Sequence, residues 1–119
     1  LRAGGSYYVV CANPLTVGLG AQDWDGHGYP LREPYVSGAK FLSRDAEWVH
    51  DTDRVIQPPQ EFRHTLGDML NGLVAQNFVL THFSDTRDFS PDPSAEPGSW
   101  DHFTAITPPW FAFWADYRP

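Results

Sequence analysis

The segment TLGDMLNGLVAQNFVLTHFS, at residues 65–84, decides how the rest of the chain is interpreted. Its first apolar residues recur at the spacing of one helix face. Thr65 is a candidate N-cap, and Asn77 is a candidate helix end because Asn tolerates left-handed backbone geometry. The apolar run at 78–83 then has the length and composition of a strand. The segment therefore predicts an amphipathic helix, a tight C-cap and a buried strand.

The size, composition and charge of the chain limit its fold and its partners. Its 119 residues, of which 41% are hydrophobic and 15% aromatic, are typical of one globular domain with one core. The net charge of −7 and the lack of any Lys/Arg cluster argue against nucleic-acid binding. No apolar run is long enough to span a membrane, so we expect no membrane partner. The single cysteine, Cys11, excludes an internal disulfide and fits a reducing, cytoplasmic location.

Upstream of the central segment, a predicted strand is followed by a long irregular stretch. The run at 7–12 is apolar without alternation, which predicts a strand buried on both faces, as in the centre of a mostly parallel sheet. Asn13 and Pro14 end this strand. Residues 15–46 are rich in Gly, Pro and aromatic residues. They form either a substrate-binding insertion or lid, or an ordered surface loop folded on its own aromatic side chains.

The remaining segments complete the order of elements. Residues 47–56 predict a hairpin, and residues 60–64 predict a short extended segment that enters the helix. The prolines within 85–107 predict a surface loop. The run at 110–117 predicts a final strand, which we expect to pair antiparallel with the strand before that loop because no helix is predicted between them. Considered alone, this order is typical of an α+β fold.

Three motifs resemble those of class I S-adenosylmethionine-dependent methyltransferases. LRAGG at residues 1–5 resembles the L-[KR]-P-G-G turn that leads into the fifth strand of that family. FRHT at 62–65, followed by the helix and VAQNF at 74–78, resembles the y-H-R-[TP]-L…aL…aGF segment of its small-molecule members. PWFAFW at 109–114 resembles their P-x-F-L seventh strand. The resemblance covers nearly the whole chain.

The motifs depart from the family pattern at three places. Ala3 stands where Pro is usual, Arg63 and His64 invert the usual order of His and Arg, and Asn77 replaces Gly. Of these, Asn77 has a physical explanation, because Asn supplies the same left-handed geometry as Gly. No D-x-G-x-G occurs in the 119 residues, so the cofactor motif of the family would lie upstream of Leu1.

The resemblance implies a fold and a function. It implies a single unit at 1–119 that is the C-terminal portion of a Rossmann-like α/β methyltransferase sheet. This unit would consist of a strand, a substrate-side insertion at 15–60, and a helix with an antiparallel closing strand pair at 61–119. The absence of an initiator Met also indicates a fragment. S-adenosylmethionine would be the cofactor of the full-length enzyme and a small molecule its substrate, whereas we expect the fragment alone to bind no cofactor and to be inactive.

Candidate substrate-binding residues lie in and around the insertion. Asn13 ends the first strand, where α/β enzymes place ligand-binding groups. The aromatic faces of the insertion suit a cationic or apolar substrate. His64 is either a general base or a hydrogen-bonded structural histidine, and the second interpretation is favoured. The predicted substrate contacts are Asn13, Trp24, His27, Tyr29, Tyr35 and Arg63.

Other chemistries lack the residues that they need. The five histidines show no metal-ligand spacing, so we expect no metal, and a calcium loop at 23–26 lacks the Glu expected at its twelfth position. No G-x-S-x-G nucleophile motif occurs, and we expect Cys11 to be an inert core thiol. The alternative function is a non-enzymatic ligand-binding or dimerisation module, because the strand at 7–12 would expose an edge that a second copy could pair with to form a homodimer.

Overall fold

A computed structural model of the protein describes residues 1–42, 60–85 and 90–119. These residues form five strands, two α-helices and one short 3₁₀-helix at Ala21–Asp23. The predicted hairpin at 47–56 lies outside the described residues. The strands are β1 Ser6–Ala12, β2 Lys40–Leu42, β3 Gln60–Phe62, β4 Phe78–Ser84 and β5 Trp110–Tyr117, and the helices are α1 Leu66–Ala75 and α2 Trp100–Ile106.

The central segment folds into the predicted helix and strand. The Thr65 side chain caps α1 by accepting a hydrogen bond of 3.2 Å from the Asp68 N–H. Asn77 adopts a φ of 62°, the left-handed geometry that ends the helix. Strand β4 begins at the next residue, Phe78, and α1 packs against it. The prediction of a helix, a tight C-cap and a strand is confirmed, although β4 is largely exposed rather than buried.

The main sheet has three strands in the order β1-β5-β4, and both pairings are antiparallel. The last strand in the sequence therefore lies between the other two, which run parallel to each other. A register shift between Leu80 and His82 places a bulge in β4. The predicted antiparallel pairing of the last two strands is confirmed, and the described residues form an α+β arrangement.

Strand β1 differs from its prediction. It is a strand, but among the described strands it lies at the sheet edge and runs antiparallel to its neighbour β5. Tyr8 and Val10, which share one face, are both exposed. The prediction of a doubly buried strand in a mostly parallel sheet is therefore wrong for the part of the chain that the structure describes. An apolar run indicates strand-forming side chains, whereas the position of the strand in a sheet depends on distant segments.

A helix occupies part of the predicted loop at 85–107. Ser99 caps α2 through a 3.3 Å hydrogen bond from the His102 N–H to its Oγ. Phe103 of this helix is fully buried and anchors it to the core. The prediction of a loop is therefore wrong for the seven residues of α2. None of the helices within the described ranges is long and apolar enough to cross a membrane.

The buried core lies on β5 and α2. Strand β5 is the central strand, so neighbouring strands pair with both of its edges, and consecutive residues on both of its faces are buried. The buried hydrophobic residues of the described chain are Phe103, Phe111, Ala112, Phe113 and Ala115.

A second, smaller sheet joins the insertion to α1. Strands β2 and β3 pair antiparallel. Beyond them, the Arg63 N–H donates to the Ala39 carbonyl at 2.9 Å, and the Gly38 N–H donates to the Arg63 carbonyl at 2.8 Å. The predicted extended segment at 60–64 is thereby confirmed through residue 62 as a strand. It brings Arg63 and His64 beside the end of β1.

Candidate functional site

Two clefts meet at the carboxyl end of β1. The larger, which we name the tryptophan cleft, has a volume of about 400 Å³ and is lined by Trp100, Trp110 and residues 16–22. The smaller, which we name the Arg63 cleft, has a volume of about 270 Å³ and is lined by Arg63, His64, Cys11 and Met69 among others. Both clefts are also lined by Ala12, Val17 and Glu61.

Two indole rings form one wall of the tryptophan cleft. Trp100 opens α2 and Trp110 opens β5, and their ring centroids lie 5.6 Å apart with the planes at 51°. They are 44% and 40% exposed, which is high for rings of this size. Phe103 lies behind them, with its centroid 5.9 Å from that of Trp100. The two tryptophans are the first residues of a helix and of a strand, which fixes the position of their backbones.

Arg63 is buried and holds the insertion in place. Its side chain is 5% exposed. Nη2 donates to the Val17 carbonyl at 3.0 Å, and Nη1 donates to the carbonyls of Glu33, at 3.2 Å, and Pro34. Nε is buried and has no hydrogen-bond partner among the described residues. The guanidinium therefore fastens three separate backbone positions of the insertion to β3, which is a structural task.

The Arg63 cleft also contains His64 and Cys11. His64 is exposed beside the start of α1. Cys11 is half-buried, and burial raises the pKa of its thiol above the ordinary value. A thiol with a raised pKa stays protonated near neutral pH and is a weak nucleophile. The geometry therefore favours an inert Cys11, as predicted from the sequence, although the residue lines a cleft instead of lying fully in the core.

Asn13 is 3% exposed, and both polar groups of its side-chain amide form hydrogen bonds with the backbone. Nδ2 donates to the Pro108 carbonyl at 2.8 Å, and Oδ1 accepts from the Leu15 N–H at 3.0 Å. The Asn13 N–H also donates to the Pro109 carbonyl at 2.9 Å. Asn13 therefore joins the end of β1 to the connection between α2 and β5. It shapes the clefts from behind, and its amide is not directed at a ligand.

Trp24 and Tyr29 from the insertion pack against α2. The Tyr29 hydroxyl accepts a 3.1 Å hydrogen bond from the Gly98 N–H and lies 2.8 Å from Nδ1 of His102, which is 8% exposed. A hydrogen bond therefore joins the Tyr29 and His102 side chains, and the tautomer of His102 determines which of them donates. The ring of Trp24 meets that of His102 at 5.2 Å, edge to face.

This cluster shows how part of the insertion is ordered. The Trp24 and Tyr29 rings also contact each other, with centroids 5.1 Å apart. These two side chains pack on each other and on α2, while residues 16–22 of the same insertion line the tryptophan cleft. Sequence analysis did not select His102, because a lone histidine in a predicted loop gives no local signal.

The other two predicted contacts of the insertion lie in turns. His27 is exposed, and its N–H donates to Oδ1 of Asp25 at 3.0 Å within a tight turn. The hydroxyl of Tyr35 accepts from the Leu66 N–H at 2.7 Å, so it caps α1 from outside the helix. Neither residue lines the two clefts as described. Of the predicted site residues, the structure brings only Arg63 and His64 together in one cleft.

The N-terminus of α1 is not a site for S-adenosylmethionine of the kind found in α/β folds. A nucleotide-type cofactor in an α/β fold is held by a glycine-rich turn that opens a helix with free N–H groups. Here the first N–H groups at α1 are taken by Ser37 Oγ, Tyr35 Oη and Thr65 Oγ. Within the described ranges no group of three His, Cys, Asp or Glu is placed to hold a metal ion.

No family model, no curated protein and no solved structure matches the chain.

Proposed function

We propose that the chain is the C-terminal, substrate-side portion of a small-molecule methyltransferase that uses S-adenosylmethionine. In this proposal the sheet β1-β5-β4 is the end of a longer Rossmann-like sheet. The two clefts at the end of β1 form part of the substrate pocket. In the same proposal the cofactor is held by residues that precede Leu1, where the resemblance places the glycine-rich motif.

The position of β5 carries the proposal. An antiparallel closing strand is what the methyltransferase resemblance implies, and β5 is antiparallel to both of its neighbours. It is the last strand in the sequence, yet it lies between β1 and β4, which run parallel to each other. Parallel strands separated by a helical connection are a feature of α/β folds, and α1 lies between these two strands in the sequence.

The location of the clefts also supports the proposal. In open α/β sheets, ligands bind in the crevice outside the carboxyl ends of the strands. The clefts share Ala12, the last residue of β1, as a lining residue. In this proposal the residues of the chain bind and orient the acceptor, and His64 and Glu61 are the exposed titratable side chains that line the Arg63 cleft.

The experiment is methyl transfer measured on the protein expressed together with its upstream coding sequence. Transfer from radiolabelled S-adenosylmethionine is assayed over a panel of small amines, phenols and carboxylic acids. The longer protein should transfer methyl groups, and the 119-residue chain alone should not. Micromolar binding of S-adenosylmethionine to the 119-residue chain in calorimetry would contradict the proposal, as would an upstream sequence without a glycine-rich strand–turn–helix.

A second candidate function, a dimerisation module, is favoured by the composition of the β1 edge. The seven residues of β1 contain no charged residue and no proline, the features that natural sheets use to block edge pairing. Backbone bonds join Asn13 to Pro109 and Gly5 to Tyr117, so the odd-numbered residues of β1 face β5. The N–H and C=O groups of Val10 therefore point away from β5.

Light scattering on paired proline variants tests the second candidate. A dimer formed by antiparallel β1 strands would place Tyr8 opposite Val10 of the second copy, a favourable aromatic–aliphatic pair. Val10→Pro removes an outward N–H and should dissociate such a dimer while leaving the β1–β5 ladder intact. Val9→Pro removes an inward N–H and should instead destabilise the fold. A wild-type chain that is monomeric at all concentrations would contradict the dimer.

A further inference from the structure

The tryptophan cleft has the chemistry of a cation site. Two indole faces, from Trp100 and Trp110, line a cavity of about 400 Å³, which lies within the range of about 300–1,000 Å³ that is usual for small-molecule pockets. The face of an indole ring carries negative electrostatic potential and attracts organic cations. The two rings contact each other, with centroids 5.6 Å apart, so they form one continuous aromatic surface on the wall of the cleft.

The charge of the cleft agrees with the aromatic wall. Glu61, from β3, is the one charged residue among the described residues that line it. No Lys, Arg or His among those residues offers a counter-charge to an anion. The rest of the lining is uncharged and comes mainly from the turn at 16–22. A neutral apolar ligand would form no ion pair with the Glu61 carboxylate, and an anionic ligand would be repelled by it.

We propose that the tryptophan cleft binds a small organic cation, such as a protonated or quaternary amine, against the exposed indole rings, with Glu61 as its counter-charge. If the chain is part of the proposed methyltransferase, this cation represents its substrate class, and only that step rests on the proposed function. The cation site itself is assembled from residues of the described chain. It therefore exists whether or not the chain belongs to a methyltransferase.

Three probes of equal shape and different charge test the proposal on the 119-residue chain itself. The probes are choline, its neutral carbon isostere 3,3-dimethylbutanol, and the anion 3,3-dimethylbutyrate, each titrated by tryptophan fluorescence and calorimetry without S-adenosylmethionine. Choline should bind at least about tenfold more tightly than the neutral isostere, the size of one favourable cation–π contact, and the anion should bind most weakly. Equal affinity of choline and the isostere would overturn the proposal, as would no saturable choline binding up to tens of millimolar.

Substitutions assign the binding to the named residues. Glu61→Gln should weaken choline binding about three- to tenfold and leave 3,3-dimethylbutanol unchanged, because only the charge is removed. Glu96→Gln, an equally exposed change outside both clefts, is the matched control and should have no effect. Trp100→Leu should abolish the preference for the cation, and Trp100→Phe should restore part of it. Equal effects of the two glutamate changes would overturn the role of Glu61 and with it the proposal.

The two proposals fail in different experiments. If the longer protein transfers methyl groups but the 119-residue chain shows no preference for choline over its isostere, the proposed cation site is refuted and the proposed enzyme is supported. If the 119-residue chain prefers choline but the longer protein transfers no methyl groups, the proposed enzyme is refuted and the proposed cation site is supported. If Trp100→Leu fails to fold, Glu61→Gln decides the outcome, because an exposed carboxylate is replaced without loss of packing.

Discussion

Replacing Arg63 by Met separates its structural role from the predicted role in substrate binding. Met keeps the apolar stem of the side chain and removes every donor. Three backbone carbonyls, those of Val17, Glu33 and Pro34, then lose their partner. Each hydrogen bond from a charged group is worth about 1.5–3 kcal/mol, but removing the guanidinium also ends the cost of burying a charge whose Nε is unpartnered.

The net loss should be about 3 kcal/mol, a large part of the 5–15 kcal/mol by which a small domain is usually stable. In urea titrations followed by tryptophan fluorescence, with a slope of about 1.5 kcal/mol per molar, the midpoint should fall by about 2 M. Arg63→Lys keeps a charged donor that reaches fewer carbonyls, so its loss should be about half as large. This milder variant also gives a result if Arg63→Met does not fold.

Arg32→Met is the matched control, because Arg32 lies in the same insertion but its side chain is 63% exposed and 3.9 Å from Asp25. An exposed ion pair of this kind contributes less than about 1 kcal/mol. If Arg63→Met destabilises the protein no more than Arg32→Met, the guanidinium does not hold the insertion. The reasoning from its hydrogen bonds would then be refuted, and the predicted substrate contact would be the surviving explanation of a buried arginine.

Three further substitutions test single features of the fold. Gly72→Ala, inside α1 where an added Cβ meets no atom within 4 Å, should raise the unfolding free energy by about 0.5–1 kcal/mol in urea, and a decrease would disprove the open site. Asn13→Ala should lower it by about 1–3 kcal/mol, since two backbone groups lose a buried partner, and a neutral result would contradict that role. The Ser37 and Thr65 hydroxyls hold the pKa of Asp68 below its ordinary value, so its stabilising effect is present above that value and is lost as the pH falls through the lowered folded pKa. Asp68→Asn should therefore flatten the loss of stability below about pH 4, measured by urea titration at each pH, and an unchanged acid limb would rule this contribution out.

The elements that the sequence predicts well are those whose signals are local. Thr65 and Asn77 lie at the two ends of α1 and act there as predicted, one through its side chain and the other through its backbone angle. Strand β5 occupies the predicted residues 110–117. An aromatic run that follows two prolines predicts a strand without reference to any distant segment. Helix α2 gives no comparable signal. It has seven residues, and it is stabilised by contacts of His102 and Phe103 with Tyr29, more than 70 positions away.

The tryptophan cleft shows why the site is harder to predict than the fold. Its charged and aromatic residues come from β3, from the start of α2 and from the start of β5. Trp100 and Trp110 are ten positions apart in the sequence, a spacing that corresponds to no helix face or strand face, and Glu61 lies far upstream of both. These residues meet only because β5 pairs with β1, which places Trp110 opposite Ala12, the last residue of β1. The predicted aromatic contacts of the insertion were instead used for packing, since Trp24 and Tyr29 fill the space against α2. Aromatic residues alone therefore do not distinguish a pocket from the core. The exposed pair beside a single carboxylate makes that distinction, and it exists only once the strands have paired.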